Sequence, residues 1–204
     1  KITRSVLEVL ARTNHPVGIV TKSALVTRDI DLLAPMAEKG LAKVSISVTS
    51  LDHRLSRAME PRAATPGRRL EAIRQLSAAG IPVNVLLAPV IPAINDEEIE
   101  RILEAARAAG AGEAGYVLLR LPLEVREVFA QWLVTHAPQK ARHVLSLIRS
   151  TRGGKDYDSR FGQRQVGDGP VAWMIGRRFE VAAQRLGYAR RKLKLDESQF
   201  RPPV

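Results

Sequence analysis

The sequence predicts an α/β fold in which helices cover a parallel sheet. Four short, nearly unbroken apolar runs begin near residues 17, 44, 81 and 115, with helical periodicities between them. Their spacings of 27, 37 and 34 residues match a strand, a crossover helix and the next strand. Gly40, Gly80 and Gly110 each follow a helical stretch, where a residue free to adopt left-handed backbone ends the helix.

The elements follow in order. Ile2 to Arg12 places Ile2, Val6, Leu7, Val9 and Leu10 at helical spacing, and Val17 to Thr21 (VGIVT) is the first strand. Asp29 to Lys39 is helical, and Val44 to Thr49 (VSISVT) is the second strand. Pro66, suited to a first helical turn, opens a helix through Leu70, Ile73, Leu76 and Ala79; Ile81 to Leu87 (IPVNVLL) is the third strand. Asn95 is expected to cap Asp96 to Ala109, and Gly115 to Leu121 (GYVLLRL) supplies the fourth strand. Beyond it the pattern is helical only: Glu124 to Thr135, Gln139 to Ile148 and Val171 to Leu186. A Gly-rich, charged loop spans Arg152 to Pro170, and an extended tail starts at Arg190.

At 204 residues, 45% hydrophobic and 26% charged, the chain has the material for an ordinary core, which excludes disorder as the default. No apolar run of about 18 residues and no basic-then-apolar leader occurs, so a cytoplasmic protein without a membrane partner is expected. The absence of cysteine excludes disulfides, Cys-ligated zinc and any iron-sulfur cluster held by these residues. The chain opens on Lys1 directly in helical periodicity, as a piece of a longer protein would. The net charge of +11 is uneven: 15 Lys or Arg against 13 Asp or Glu up to Leu119, then 17 against 8. That asymmetry fits an anionic partner, nucleic acid first, or a solubility role.

Parallel α/β sheets do their chemistry at the carboxyl ends of strands. Those ends carry Lys22, then Ser47, Thr49, Ser50 and Asp52, then Ala88, Pro89 and Val90, then Arg120. Lys22 is read as a ligand for a carboxylate or phosphate, or as a solvated strand-end lysine. Other constellations favour structural readings. Asp96, Glu97, Glu98 and Glu100 sit where a first helical turn offsets its dipole. His136 and His143 are separated by Pro138 and lack a third ligand, while His15 and His53 are expected in loops. Asp156, Asp158 and Asp168 lack calcium-loop spacing, and neither a P-loop nor a GxGxxG motif occurs.

The runs VTKSALVTRDIDLL, VSISVTSLDHRLSRAMEPRAATPGRRLEAIRQLSAAGIPVNVLLAPVIPAIND and GYVLLRLP together resemble the spore-photoproduct-lyase-like branch of the radical S-adenosylmethionine (SAM) superfamily. HVLSLIRSTRGG and FRPP extend the resemblance over essentially the whole chain. The resemblance implies a parallel (β/α) barrel of six strands, with the four strands here as the third to sixth. Residues 1–122 would be this partial barrel and 123–204 a helical, basic extension packed on it. It also implies a 4Fe-4S cluster on a CxxxCxxC loop, an electron donor such as flavodoxin or ferredoxin, and cleavage of SAM to a 5′-deoxyadenosyl radical that abstracts hydrogen from a substrate. The cluster loop is expected before Lys1, so the chain alone is expected to be inactive.

By the same resemblance, Lys22 contacts the SAM carboxylate and Ser47 hydrogen-bonds SAM, with Thr49 facing the same side of the strand. Ala88, Pro89 and Val90 pack on adenine, and Arg120 lies where cofactor or substrate contacts are made. In the last helix Val171, Met174, Ile175, Phe179, Ala182, Ala183 and Leu186 form an expected packing side. Arg177, Arg178 and Arg185, continued by Arg190, Arg191, Lys192 and Lys194, are candidates for contact with a phosphate backbone. Two alternatives remain: a non-catalytic basic α/β nucleic-acid-binding module, and a different barrel enzyme acting on a small phosphorylated substrate.

Overall fold

Every strand is preceded by a helix that returns the chain to the same end of the sheet, so the strands run parallel. The computed structural model describes residues 2–155 and 163–202. The strands are β1 (Val17–Thr21), β2 (Ala42–Ser47), β3 (Val83–Val90) and β4 (Glu113–Leu118), paired in sequence order. Ile19 lies opposite Val44, Val44 opposite Val83, and Val85 opposite Ala114. The first six helices are α1 (Ile2–Arg12), α2 (Ile30–Glu38), α3 (His53–Met59), α4 (Pro66–Ala78), α5 (Ile99–Ala108) and α6 (Val125–His136). Then come α7 (Ala141–Ser150), the short α8 (Gln163–Val166) and α9 (Gly169–Arg185).

Sequential parallel order with right-handed crossovers puts the connecting helices on one face of the sheet. Burial records it: Ala42, Val44 and Ile46 of β2 are fully buried while Lys43 and Ser45 between them are half-buried. In β3, Val83, Val85 and Leu87 are buried and Asn84 and Leu86 half-buried. The covered face packs on Leu33 and Met36 of α2, Ile73 and Leu76 of α4, and Ile102 and Leu103 of α5. On the other face Asn84 donates to the Ser45 hydroxyl at 3.0 Å.

A second, smaller core of Leu133, Val144 and Ile148 joins α6 and α7 to Ile91 and Leu121. Helix α9 enters the main core through Ala172, Ile175, Phe179 and Ala182, so the C-terminal part shares a core with the sheet. Met174, expected on that packing side, is 45% exposed, because the buried stripe runs through Ala172, Ile175, Phe179 and Ala182 and Met174 lies off it.

Several boundaries differ from expectation for local reasons. Ser23 caps a 3-10 turn over Ala24–Asp29, accepting from the Leu25 amide at 3.2 Å, so α2 starts only at Ile30. Asp52 accepts from the amides of Arg54 and Leu55 and nucleates α3, which places His53 in a helix rather than a loop. Asn95 makes no cap: a 3-10 turn over Asp96–Glu98 precedes α5, and the Asn95 side chain is used elsewhere. Asp168 accepts from the Gly169 amide at 2.7 Å at the start of α9, whereas Asp156 and Asp158 lie outside the described residues. At Gly110, φ is +105° and an added Cβ would meet Ser77 Oγ at 2.4 Å, so only glycine fits this crossing from α5 to β4.

The tail crosses the amino ends of the strands. Ala189 donates to the carbonyl of Gly112 at 3.0 Å, before β4. The Leu193 amide donates to Glu113 at 2.8 Å, and its carbonyl accepts from Lys43, at the start of β2, at 2.6 Å. The amides of Asp196 and Arg201 then donate to Gly40 and Thr13 at 3.0 and 2.9 Å, and Phe200 meets the His15 ring edge-on.

Candidate functional site

At the carboxyl end of the sheet the half-exposed face opens into a cavity of about 420 Å³. Its walls are mainly apolar, from Val20, Leu86 and Val117 on three different strands. Lys22 and Arg120 stand at the ends of the two edge strands, with Ser47, Ala88 and Pro89 between them. Among the described residues three larger cavities lie elsewhere, one between α3 and the α6–α7 pair, one at the start of α9 and one between α3 and the start of α4; none draws residues from more than one strand.

The cavity floor is held by hydroxyl and amide groups. Ser47 Oγ donates to the Ala88 carbonyl at 2.9 Å, tying β2 to β3 beside the cis Ala88–Pro89 peptide. Thr49 lies beyond the end of β2, buried and off the cavity wall; its hydroxyl lies 2.9 Å from Glu60 Oε1 and 3.4 Å from the Ala88 carbonyl. It therefore supports the floor instead of lining it with Ser47, because the chain leaves strand geometry after Ser47. Val90, expected against adenine, is buried in the main core, past a register irregularity between β3 and β4.

The charges at this end form one network. Glu60 accepts from Lys22 Nζ and Thr49 on one carboxylate oxygen and from Arg69 on the other. Arg69 is 1% exposed and also donates to the carbonyls of Ser47 at 2.9 Å and Ala64 at 2.7 Å. Burial pushes the Glu60 carboxyl up, but the Lys22 and Arg69 hydrogen bonds and charges outweigh it, so Glu60 titrates below the usual carboxylate range. Asn95 fastens the turn after β3, accepting from the Ile91 amide and donating to the Thr49 and Pro89 carbonyls. Glu98 accepts from the Ser50 hydroxyl at 2.6 Å and the Leu51 amide at 2.7 Å.

Sequence reading left Glu60, Arg69 and Asn95 out of the site, and it took Glu98 for a dipole-offsetting carboxylate. A signal existed for two of them. Arg69 shares the helical phase of Pro66, Ala72, Ile73 and Leu76, and Glu98 shares that of Ile102, so both are charges on a buried stripe. Glu60 and Asn95 lie outside helices and strands, where periodicity says nothing.

The expected phosphate-contacting helix face is already engaged. Arg178 makes a two-pronged pair with Glu100 at 2.9 and 2.7 Å and lies 3.7 Å from Asp96. Arg185 pairs with Glu104 at 2.7 Å, and Arg177 faces Glu180 at 3.4 Å. Mutual hydrogen bonding holds Glu100 below the usual carboxylate range and raises Arg178. Glu100 and Glu104 thus engage Arg178 and Arg185 across the α5–α9 contact, while Glu180 faces Arg177 within α9 itself. Arg190, Arg191, Lys192 and Lys194 remain exposed, but on the tail at the amino end of the sheet.

Residues 1–106 match the family model of the radical SAM superfamily. The chain belongs to that superfamily. Lys22, Ser47, Thr49, Glu60, Arg69 and Ala88 to Val90 fall inside the matched radical SAM region, and Arg120 outside it. The chain is also 32% identical over 146 residues to an uncharacterised protein of Mycobacterium tuberculosis, which covers 71% of this chain and 43% of the relative. An uncharacterised protein of Acidianus two-tailed virus is 36% identical over 90 residues, covering 44% of this chain and 29% of the relative. One from Methanocaldococcus jannaschii is 29% identical over 98 residues, covering 48% and 36%. The chain thus spans less than half the length of the curated relatives it matches.

Radical SAM proteins use SAM and, in general, a 4Fe-4S cluster and a reductant. The cavity fits SAM chemically: an ammonium for a carboxylate, a hydroxyl beside a polar edge, and an apolar wall for a flat ring. The cluster does not fit this chain, which has no cysteine to supply a thiolate. Among the described residues no group of three or more His, Cys, Asp or Glu is placed to hold a metal ion, and no helix is long and apolar enough to cross a membrane.

Proposed function

We propose that this chain is the SAM-holding part of a radical SAM enzyme of the spore-photoproduct-lyase-like branch. The observation that carries the reading is the convergence of Lys22, Ser47, Ala88, Pro89 and Arg120, from all four strand ends, on one cavity. Lys22 binds the carboxylate of SAM as a charge-assisted hydrogen-bond donor, and Ser47 offers its hydroxyl oxygen to the polar edge. Ala88 and Pro89 pack against adenine, with Thr49 and Asn95 holding that segment in place from behind. Arg120 closes the far side of the cavity. SAM, when bound, supplies the radical chemistry of the superfamily; the residues here bind it, orient it and wall it from water.

The cysteines of a cluster belong, in this reading, to a segment outside these residues. Support comes from the β1 side, where an additional strand has a place to pair. There β1 ends the sheet, Val20 is 67% exposed, and α1 exposes Ile2, Val6 and Val9. The competing module that grips nucleic acid loses support from the pairing of the α9 arginines with Glu100, Glu104 and Glu180.

Calorimetric titration of the full-length protein with SAM tests the assignment. Lys22→Ala is expected to weaken binding by roughly 1.5–3 kcal/mol, the value of a hydrogen bond to a charged group. Unchanged affinity overturns the role of Lys22.

A further inference from the structure

The Lys22 ammonium stands at the end of an edge strand with its side chain 40% exposed. A lysine so placed ordinarily sweeps many rotamers, and ordering it on a ligand costs entropy. Here it is tethered to Glu60, whose side chain is only 10% exposed. The tether is rigid at its base. Both carboxylate oxygens are bonded to buried groups, one to Thr49, which is 2% exposed, and the other to Arg69.

A one-to-one ion pair would hold Lys22 and cancel its charge together. Glu60 is shared between two cations, so the triad of Lys22, Glu60 and Arg69 carries a net positive charge. Arg69 is shut away from the cavity by its burial and its bonds to Ser47 and Ala64. The surplus charge therefore faces the cavity through Lys22, which has three donors and spends one on Glu60.

We propose that Glu60 is a positioning residue for ligand binding: it fixes the Lys22 ammonium at the cavity, while Arg69 offsets its charge and leaves that ammonium available to a ligand carboxylate. This rests on the reading of Lys22 as the carboxylate contact. Glu60 touches no ligand itself and acts only through Lys22.

Glu60→Gln tests it. An amide presents one acceptor where two cations now donate; Arg69, held by two carbonyls, keeps it, and Lys22 is released. Two probes are titrated calorimetrically into the full-length protein: S-adenosylhomocysteine, which carries the carboxylate, and 5′-methylthioadenosine, which lacks it. The variant is expected to bind the first about fivefold to tenfold more weakly and the second within about twofold of wild type. Equal losses for both probes would mean a structural role and overturn the proposal. Tighter S-adenosylhomocysteine binding overturns it too, because Glu60 would then only screen Lys22.

Lys22→Met distinguishes failure of the underlying reading. If it spares S-adenosylhomocysteine, Lys22 is not the carboxylate contact and the role of Glu60 falls with it. If it removes the preference for S-adenosylhomocysteine, Glu60→Gln must add nothing in the Lys22→Met background; a further selective loss refutes action through Lys22. Should Glu60→Gln fail to fold by circular dichroism, Glu60→Asp carries the same two-probe test. It keeps the charge but draws it back by one methylene, and a loss confined to S-adenosylhomocysteine is expected.

Discussion

The two ends of the sheet use charge in opposite ways. At the carboxyl end few charges are present, but they are buried, shared and bonded: Glu60 to three partners, Arg69 to three acceptors, Glu98 to a hydroxyl and an amide. At the amino end the tail carries Arg190, Arg191, Lys192 and Lys194 into solvent while it is fastened largely by backbone groups. The two ends lie about 20 Å apart along a six-residue strand such as β2. Desolvation decides which charges matter most. A buried ion is held in one geometry and interacts at low effective dielectric, whereas an exposed one is screened within a Debye length of about 8 Å. Net charge alone pointed to the tail; burial points to the strand ends.

The largest test of this contrast removes Arg69. Arg69→Met leaves the Glu60 carboxylate buried without its main counter-ion, and a loss of about 3–5 kcal/mol is expected in urea unfolding. A loss under about 1 kcal/mol would show that the carboxyl-end network is as loosely held as an exposed pair. Deleting residues 189–204 acts at the other end. It removes several hydrogen bonds but also the ordering entropy of the tail, so a smaller loss of about 1–3 kcal/mol is expected. SAM affinity in calorimetry should hold steady, and a large drop would mean the two ends are coupled.

Acid sharpens the same comparison. Glu60 and Glu100 both titrate below the usual carboxylate range, so each is more readily ionised folded than unfolded. Their contribution is present above the unfolded pKa and is lost as pH falls through the depressed folded value. Stability should therefore stay level from neutral pH down to about 5 and fall below it, and Glu60→Gln should flatten part of that acid limb in pH-dependent melts. The smallest effect is expected from changing Arg190, Arg191, Lys192 and Lys194 together to Gln. Melting temperature and SAM affinity should not move, and a loss of SAM binding would refute the separation of the two ends.

The parts of the fold legible in sequence are those set by local periodicity. The runs at Val17, Val44, Ile81 and Gly115 announced four strands, and Gly40, Gly80 and Gly110 marked the helix ends, because burial of one face imposes a period that short-range pattern reveals. Helix α3 was missed: seven residues are too few to display a period, and its start rests on the Asp52 cap. Asn95 was misread because an Asn before an acidic turn serves equally as a helix cap or as a clamp on three backbone groups. Lys22, Ser47, Ala88, Pro89 and Arg120 were legible at their strand ends from the parallel-sheet pattern, the family resemblance suggested roles for them, and the cavity they share required the sheet to be assembled.

The sequence by itself determined the βα alternation, the absence of thiol ligands, and the small set of polar residues that strand geometry delivers to one end. Tertiary structure alone decided how the charges were spent. It turned Arg178 and Arg185 of α9 onto α5, sent the basic tail to the far end of the sheet, and brought Glu60 between Lys22 and Arg69 across gaps of 38 and 9 residues. The reason is physical. Periodicity is encoded in neighbours along the chain, whereas the partner of a charge is chosen by desolvation in the packed state, among groups that sequence leaves far apart.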